Sequence, residues 1–151
     1  MSIRVQQEDF DVGAEIDALV RGNHKIGGVA SFVGVVRDVA GGQPIEAMEL
    51  EHYPGMTEKK LAEIEAEANQ RWPLEASLIV HRTGRLAPGE RVVLVVTASA
   101  HRKAALDSCA FLIDWLKTKA PFWKLEETAD GGKWVDARDA DDTAARRWIE
   151  S

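Results

Sequence analysis

Two lysines, Lys117 and Lys124, flank a proline, Pro121. A helix that ends at Pro121 and turns into a strand can aim both ammonium groups into one space, where they would hold a phosphate or a carboxylate. Neighbouring cations also lower each other's pKa, one route to a lysine that attacks or moves a proton. The simpler alternative is two solvated lysines whose stems cover Phe122 and Trp123. His101-Arg102 stands where a long helix is expected to begin. The free backbone N–H groups and positive dipole end there bind anions. An arginine fork adds bidentate phosphate recognition, and a histidine adds a donor near neutral pH. The same pair also describes the polar first turn of a surface helix. Arg37 ends a glycine-rich strand and Arg138 follows a hairpin, and each reads equally as a pocket cation or a surface residue.

The remaining reactive side chains point away from other chemistry. His24, His52 and His81 show no metal-ligand spacing with one another or with acids, so each is expected to be structural, and no metal is expected. Cys109 falls on the apolar seam of its helix and reads as a core residue, not a nucleophile. Trp115, Trp123 and Trp134 lie near the lysines in sequence and suit either a planar ligand or ordinary packing. No glycine-rich phosphate loop, nucleophile elbow or H-E-x-x-H string is present in the sequence, and no cofactor is expected. The residues alone therefore lead to a candidate anion-binding corner built from Arg37, His101, Arg102, Lys117 and Lys124.

Composition narrows the setting. The 151 residues fit one domain, 1–151, and 45% apolar with 29% charged residues is globular composition. No apolar run approaches the roughly 20 residues that cross a bilayer, and Met1 to Asp11 has no signal pattern, so a cytoplasmic protein without a membrane partner is expected. A single cysteine excludes an internal disulfide framework, and a net charge of −6 argues against nucleic acid. The charge is uneven. His101 to Lys124 holds five cations and two acids, whereas Leu125 to Ser151 holds eight acids and four cations. A basic stretch in an acidic chain suits a small anion better than a polyanion.

Periodicity supplies the elements that must position these groups. Ser2–Gln7 reads as a strand, and Asp11 caps a helix to about Arg21. Ile26–Arg37 reads as a strand whose Gly27, Gly28 and Gly34 mark a bend or a close backbone approach. Ile45–His52 is a further strand. Thr57 is the expected cap of a helix that Pro73 stops. Leu74, Ala76, Leu78 and Val80 alternate as a strand, and Val92–Val96 forms a continuous buried one. Ser99 is expected to cap a helix from about His101 to Thr118, with Leu106, Cys109, Ile113 and Leu116 as its apolar seam. Phe122–Thr128 and Lys133–Ala137 pair as a hairpin, and Asp139–Glu150 closes the chain as a helix. Mixed strands and helices with hairpins favour α+β over a doubly wound parallel sheet.

Several strings resemble one family. Leu50-Glu51-His52-Tyr53-Pro54-Gly55-Met56-Thr57, Thr97-Ala98-Ser99-Ala100-His101-Arg102 and Leu116-Lys117-Thr118-Lys119-Ala120-Pro121-Phe122-Trp123-Lys124 are similar to signatures of the large, catalytic subunit of molybdopterin synthase. Phe32 to Arg37 and Trp134 to Arg138 match in order and spacing, so the resemblance spans about Phe10 to Trp148. It implies an α+β fold of hammerhead type with an additional antiparallel β-rich subdomain. It implies conversion of cyclic pyranopterin monophosphate to molybdopterin. The two sulfurs would come from the thiocarboxylated Gly-Gly tail of a small ubiquitin-like partner, within a tetramer around a central homodimer. By the same resemblance Lys117 and Lys124 are catalytic. Arg37, His101, Arg102 and Arg138, with Val35-Val36 and Leu125-Glu126, line the substrate pocket. Val35, Lys119 and Leu125 depart from cations that many members carry there. A non-catalytic pterin- or anion-binding scaffold and a lysine Schiff-base enzyme stand as the competing expectations.

Overall fold

The computed structural model describes residues 2–40, 43–44, 46–120, 122–128, 131–135 and 146–149. The elements run β1 (Ser2–Gln6), α1 (Val12–Val20), β2 (Gly28–Val35), β3 (Val39–Ala40), β4 (Gln43–Pro44), β5 (Ala47–His52), α2 (Met56–Arg71), β6 (Leu74–Arg82), β7 (Gly84–Leu86), β8 (Arg91–Ser99), α3 (Arg102–Lys119), β9 (Phe122–Thr128) and β10 (Gly131–Val135). One sheet has the order β1-β6-β8-β2, with β1 parallel to β6 and the other pairs antiparallel. The second, β10-β9-β5-β7, is antiparallel throughout, and β3 and β4 form a ribbon. This is the expected α+β hammerhead-type arrangement with an antiparallel β-rich addition.

The apolar pattern explains the layering. Val92 to Ser99 are all buried, because β8 is a central strand with helices on both faces. On one face Ile79, Val93 and Val95 meet Leu61, Ile64 and Ala68 of α2 and Phe111, Leu112 and Leu116 of α3. On the other, Leu78, Val80, Leu94 and Val96 meet Phe10, Ile16 and Leu19. Each fully buried side chain of this kind stabilises by about 1.5–3 kcal/mol. A third cluster of Val36, Leu50, Leu86 and Val92 joins the two sheets. Glu65 of α2 is also buried, accepting a 2.7 Å bond from Ser77 Oγ, and burial pushes its carboxyl up.

Local expectations fared unevenly. Asp11 caps α1 as expected, its carboxylate accepting from the Ala14 N–H at 3.0 Å. Thr57 is not the cap of α2. Gly55 takes that position at φ +84°, and Thr57, the second residue of the helix, lies buried with its Oγ1 accepting from the Tyr53 N–H at 2.9 Å. Ser99 does not cap α3, because its Oγ donates to the Pro73 carbonyl at 2.8 Å. The seam of α3 is also shifted. Leu106 is 59% exposed, and the buried stripe runs through Ala105, Cys109, Leu112 and Leu116, because the sheet, not the count of apolar letters, sets the inward face. Of the closing helix, residues 146–149 are helical; 139–145 and 150 lie outside the described residues. Trp148 anchors that turn. Its ring meets Trp72 and Phe111 edge-on, its Nε1 donates to Asp114 at 2.7 Å, and its carbonyl accepts from Arg71 at 2.7 Å.

Candidate active site at the two ends of one helix

The first end of α3 is an open anion cradle. His101 occupies the N-cap in extended conformation with no side-chain capping bond, so the backbone donors of the first turn have no such partner. β2 reaches this turn through two glycines. The Gly27 N–H donates to the Ser99 carbonyl at 2.9 Å, and a Cβ on Gly27 would fall 2.1 Å from the Ala100 carbonyl oxygen. The expected close approach is therefore real, and its partner is the lead-in to α3. Around it lies a pocket of about 600 Å³ lined by Gly27, Ala100, His101, Arg102, Lys103, Leu106 and Asp107. Lys103 is engaged with Asp107 at 3.0 Å, whereas His101 and Arg102 are exposed.

The second end gathers the lysines. Lys117 lies in the last turns of α3, and Lys124 lies in β9 opposite Leu50 of β5. Both are half-buried, and the charges of both bear on one buried ring, that of His81 at the end of β6. The His81 ring stacks on Phe122, the first residue of β9, with centroids 3.8 Å apart and planes 16° from parallel. Its Nδ1 pairs with the Arg82 carbonyl at 2.8 Å, so Nδ1 carries the hydrogen and donates. Burial, with smaller contributions from Lys117, Lys124 and His52, lowers its pKa to about 3 against the opposing effect of the Arg82 bond. His52 stands opposite Phe122 in the β5–β9 register, with its Nε2 4.0 Å from Glu58. Lys117 from α3 and Lys124 from β9 of the β-rich sheet thus both act on one ring, a relation that their separation in sequence did not decide.

The five-cation corner expected from the residues does not form within one chain. Arg102 and Lys117 stand at opposite ends of α3, about 22 Å apart at 1.5 Å per residue. Arg37 follows the far end of β2, where Val35 pairs with Arg91, whereas Gly28 at the near end pairs with Ser99 beside His101. Arg37 and Val35 are exposed there. Val36 is 3% exposed and packs into the third cluster, with its N–H donating to Glu90 and its carbonyl accepting from Gly89. Leu125 is half-buried and Glu126 buried on β9 beside Lys124. Arg138 lies outside the described residues. Cys109 is buried and its thiol is pushed up to about 11 by burial, which makes it a poor nucleophile. His81 was read from the sequence as a structural histidine. No letter near it signals the lysines, since they come from a helix and from a strand of the other sheet.

The α+β fold thus presents cations at both ends of one helix, an arrangement suited to anionic ligands, while Cys109 lies too deep to serve as a nucleophile there. The family model described as MoaE protein matches residues 5–119. The molybdopterin synthase catalytic subunit of Pseudomonas aeruginosa is 58% identical over 150 residues, covering 99% of this chain and 100% of that one. The solved structure of the molybdopterin biosynthesis MoaE protein from Burkholderia ambifaria superimposes with TM-score 0.84 at 55% identity, covering 98% of this chain and 97% of that one. That of molybdopterin synthase from Staphylococcus aureus gives TM-score 0.82 at 36% identity, covering 87% and 95%. The chain belongs to the MoaE family. Its activity is that of a molybdopterin synthase catalytic subunit, a sulfur-transferring enzyme of molybdenum-cofactor biosynthesis. Among the described residues no helix is long and apolar enough to cross a membrane.

Proposed function

We propose that this chain, acting in the cytoplasm as one domain, converts cyclic pyranopterin monophosphate to molybdopterin with two sulfurs taken from the thiocarboxylated Gly-Gly tail of a small ubiquitin-like subunit. The observation that carries this reading is that Lys117 of α3 and Lys124 of β9 both bring their charge to bear on the one buried His81 ring, which stacks on Phe122. Two ammonium groups in a half-buried site attract a thiocarboxylate. They also stabilise the oxyanion that forms when water adds to the acyl carbon, before that carbon–sulfur bond breaks to leave sulfur on the substrate and a carboxylate on the tail. Lys117 in addition serves as general acid or base while the cyclic phosphate opens. Leu125-Glu126 adjoin Lys124 on β9, and Arg37 with Val35-Val36 is assigned to the pocket on the family resemblance. Arg138 is assigned to the same pocket on the family resemblance.

His101 and Arg102 bind the substrate's anionic group, yet they stand a helix length away from the lysines of their own chain. A central homodimer resolves this, because a second copy can bring its α3 N-terminus to the lysine end of the first. Edge strand β2, with Val29, Phe32 and Val35 exposed along it, offers apolar surface for such a contact.

The test is direct. The purified chain, a thiocarboxylated small subunit and cyclic pyranopterin monophosphate are mixed and molybdopterin is assayed. Product that disappears with Lys117→Ala supports the assignment. A Lys117→Ala enzyme that keeps substantial turnover defeats it, and stable binding of both partners without product supports the scaffold.

A further inference from the structure

We propose that His81 is a positioning residue for the lysine pair: by stacking on Phe122 across the joint between the two sheets it sets where Lys124 stands relative to Lys117. The inference rests on the function proposed above. His81 ends β6 in the first sheet, and only Thr83 separates β6 from β7 in the second. Phe122 opens β9, also in the second sheet, two residues before Lys124. The ring–ring contact at 3.8 Å therefore ties the strand that bears Lys124 to the sheet that α3 packs against. The Nδ1 bond to the Arg82 carbonyl holds the imidazole to its own strand and fixes its orientation.

The chemistry of the ring matters as well as its shape. The titratable groups whose charge acts on it are Lys117 on α3, Lys124 on β9 and His52 on β5, all cationic or basic. The neighbouring Arg82 guanidinium is directed elsewhere, to the carbonyls of Gln7 and Arg91 at 3.0 Å each and to Glu90 at 3.4 Å. A neutral, buried aromatic plate adds no further positive charge to the lysines' surroundings, and its stack on Phe122 excludes water from that joint. His81 touches neither tail nor substrate in this reading. Its effect reaches the reaction through the separation of the lysines, and misplacement by about 1 Å costs on the order of 100-fold in rate.

Two variants separate positioning from plain stability. His81→Phe keeps the stack and loses both ring nitrogens; His81→Asn keeps a short donor for the Arg82 carbonyl and loses the stack. Both are assayed as the full chain with thiocarboxylated small subunit and cyclic pyranopterin monophosphate, at a temperature where circular dichroism shows each folded. His81→Asn is expected to lower kcat about 10–100-fold with KM for the small subunit within about 3-fold of wild type. His81→Phe is expected to rescue most of that loss although it melts at lower temperature than wild type. Wild-type kcat in His81→Asn overturns the proposal, as does an equal loss in both variants, or a rise in KM with kcat unchanged. If His81→Asn does not fold, His81→Gln takes its place with the same expectations. Absence of product from the wild-type chain in the same assay is the separate failure, that of the functional reading.

Discussion

Gly27 lies so close to Ala100 that a side chain there would occupy the Ala100 carbonyl: the added Cβ would sit 2.1 Å from that oxygen. The approach seats β2 against the first turn of α3, where Gly28 also lies close to Arg102, at 3.4 Å from a Cβ to the Arg102 Cα. Gly27→Ala is expected to destabilise by about 1–3 kcal/mol, since backbone must move. It should also raise KM for the phosphate-bearing substrate by displacing His101 and Arg102. Gly13→Ala is the control. Its Cβ would meet only Asp11 Oδ1, at 3.6 Å, and alanine favours the helix, so a neutral or stabilising change is expected. Thermal melting with steady-state kinetics checks both, and an unchanged melt and KM in Gly27→Ala would refute the seating role.

The two lysines should respond unequally to charge-preserving replacement. Lys117→Ala and Lys124→Ala should each lower kcat about 100-fold or more, the scale of a lost oxyanion partner. Lys117→Arg keeps the charge on a planar, bulkier head in a half-buried site and should recover little. Single-turnover formation of molybdopterin from preloaded small subunit measures this, and full activity in Lys117→Arg would reduce its role to charge alone.

Acid should weaken the fold through His81. Its pKa is near 3 when folded and about 6.5 when unfolded, so the unfolded chain binds the extra proton between those values. Stability from the neutral ring is complete above about pH 6.5 and falls by roughly 1.4 kcal/mol for each pH unit below it. Glu65 works in the opposite direction, because a raised carboxyl favours the folded state at low pH. Asp9, held to about 2 by Arg91, loses its contribution only below the ordinary carboxylate range. Subtracting the His81→Phe curve from wild type removes both. The difference between pH 7 and pH 5 in urea unfolding should follow the histidine slope, and a flat difference would show that His81 titrates alike in the folded and unfolded chain.

Trp148 should act as a clasp for the last described turn. Trp148→Ala removes two edge-on ring contacts and the Nε1 bond to Asp114, and should cost about 1–3 kcal/mol. Protease sensitivity of the C-terminal region should rise in step. A variant with wild-type melting and digestion would show that the turn is held by other contacts.

Much of the fold was legible because strong local patterns agree with it. The Asp11 cap, the Val92–Val96 run and the hairpin after Phe122 depend on near neighbours and on alternation that the core merely accepts. The failures share one cause. Ser99 and Thr57 carry capping side chains, but tertiary partners claim them: Pro73 for Ser99, and the Tyr53 N–H together with burial for Thr57. Leu106 fits a seam by spacing, yet the sheet packs against the stripe one residue away.

By itself the sequence determined which chemistry was available: paired lysines, a histidine–arginine step at a helix start, and a cysteine set into an apolar seam. Side-chain type and local spacing are enough for that. Only the tertiary structure decided which of these groups meet. The joint between the two sheets, where His81 stacks on Phe122, sets Lys124 and Lys117 around one ring, and helix length keeps Arg102 away from Lys117. Both are long-range consequences of how two sheets join, and no local run of residues encodes that distance.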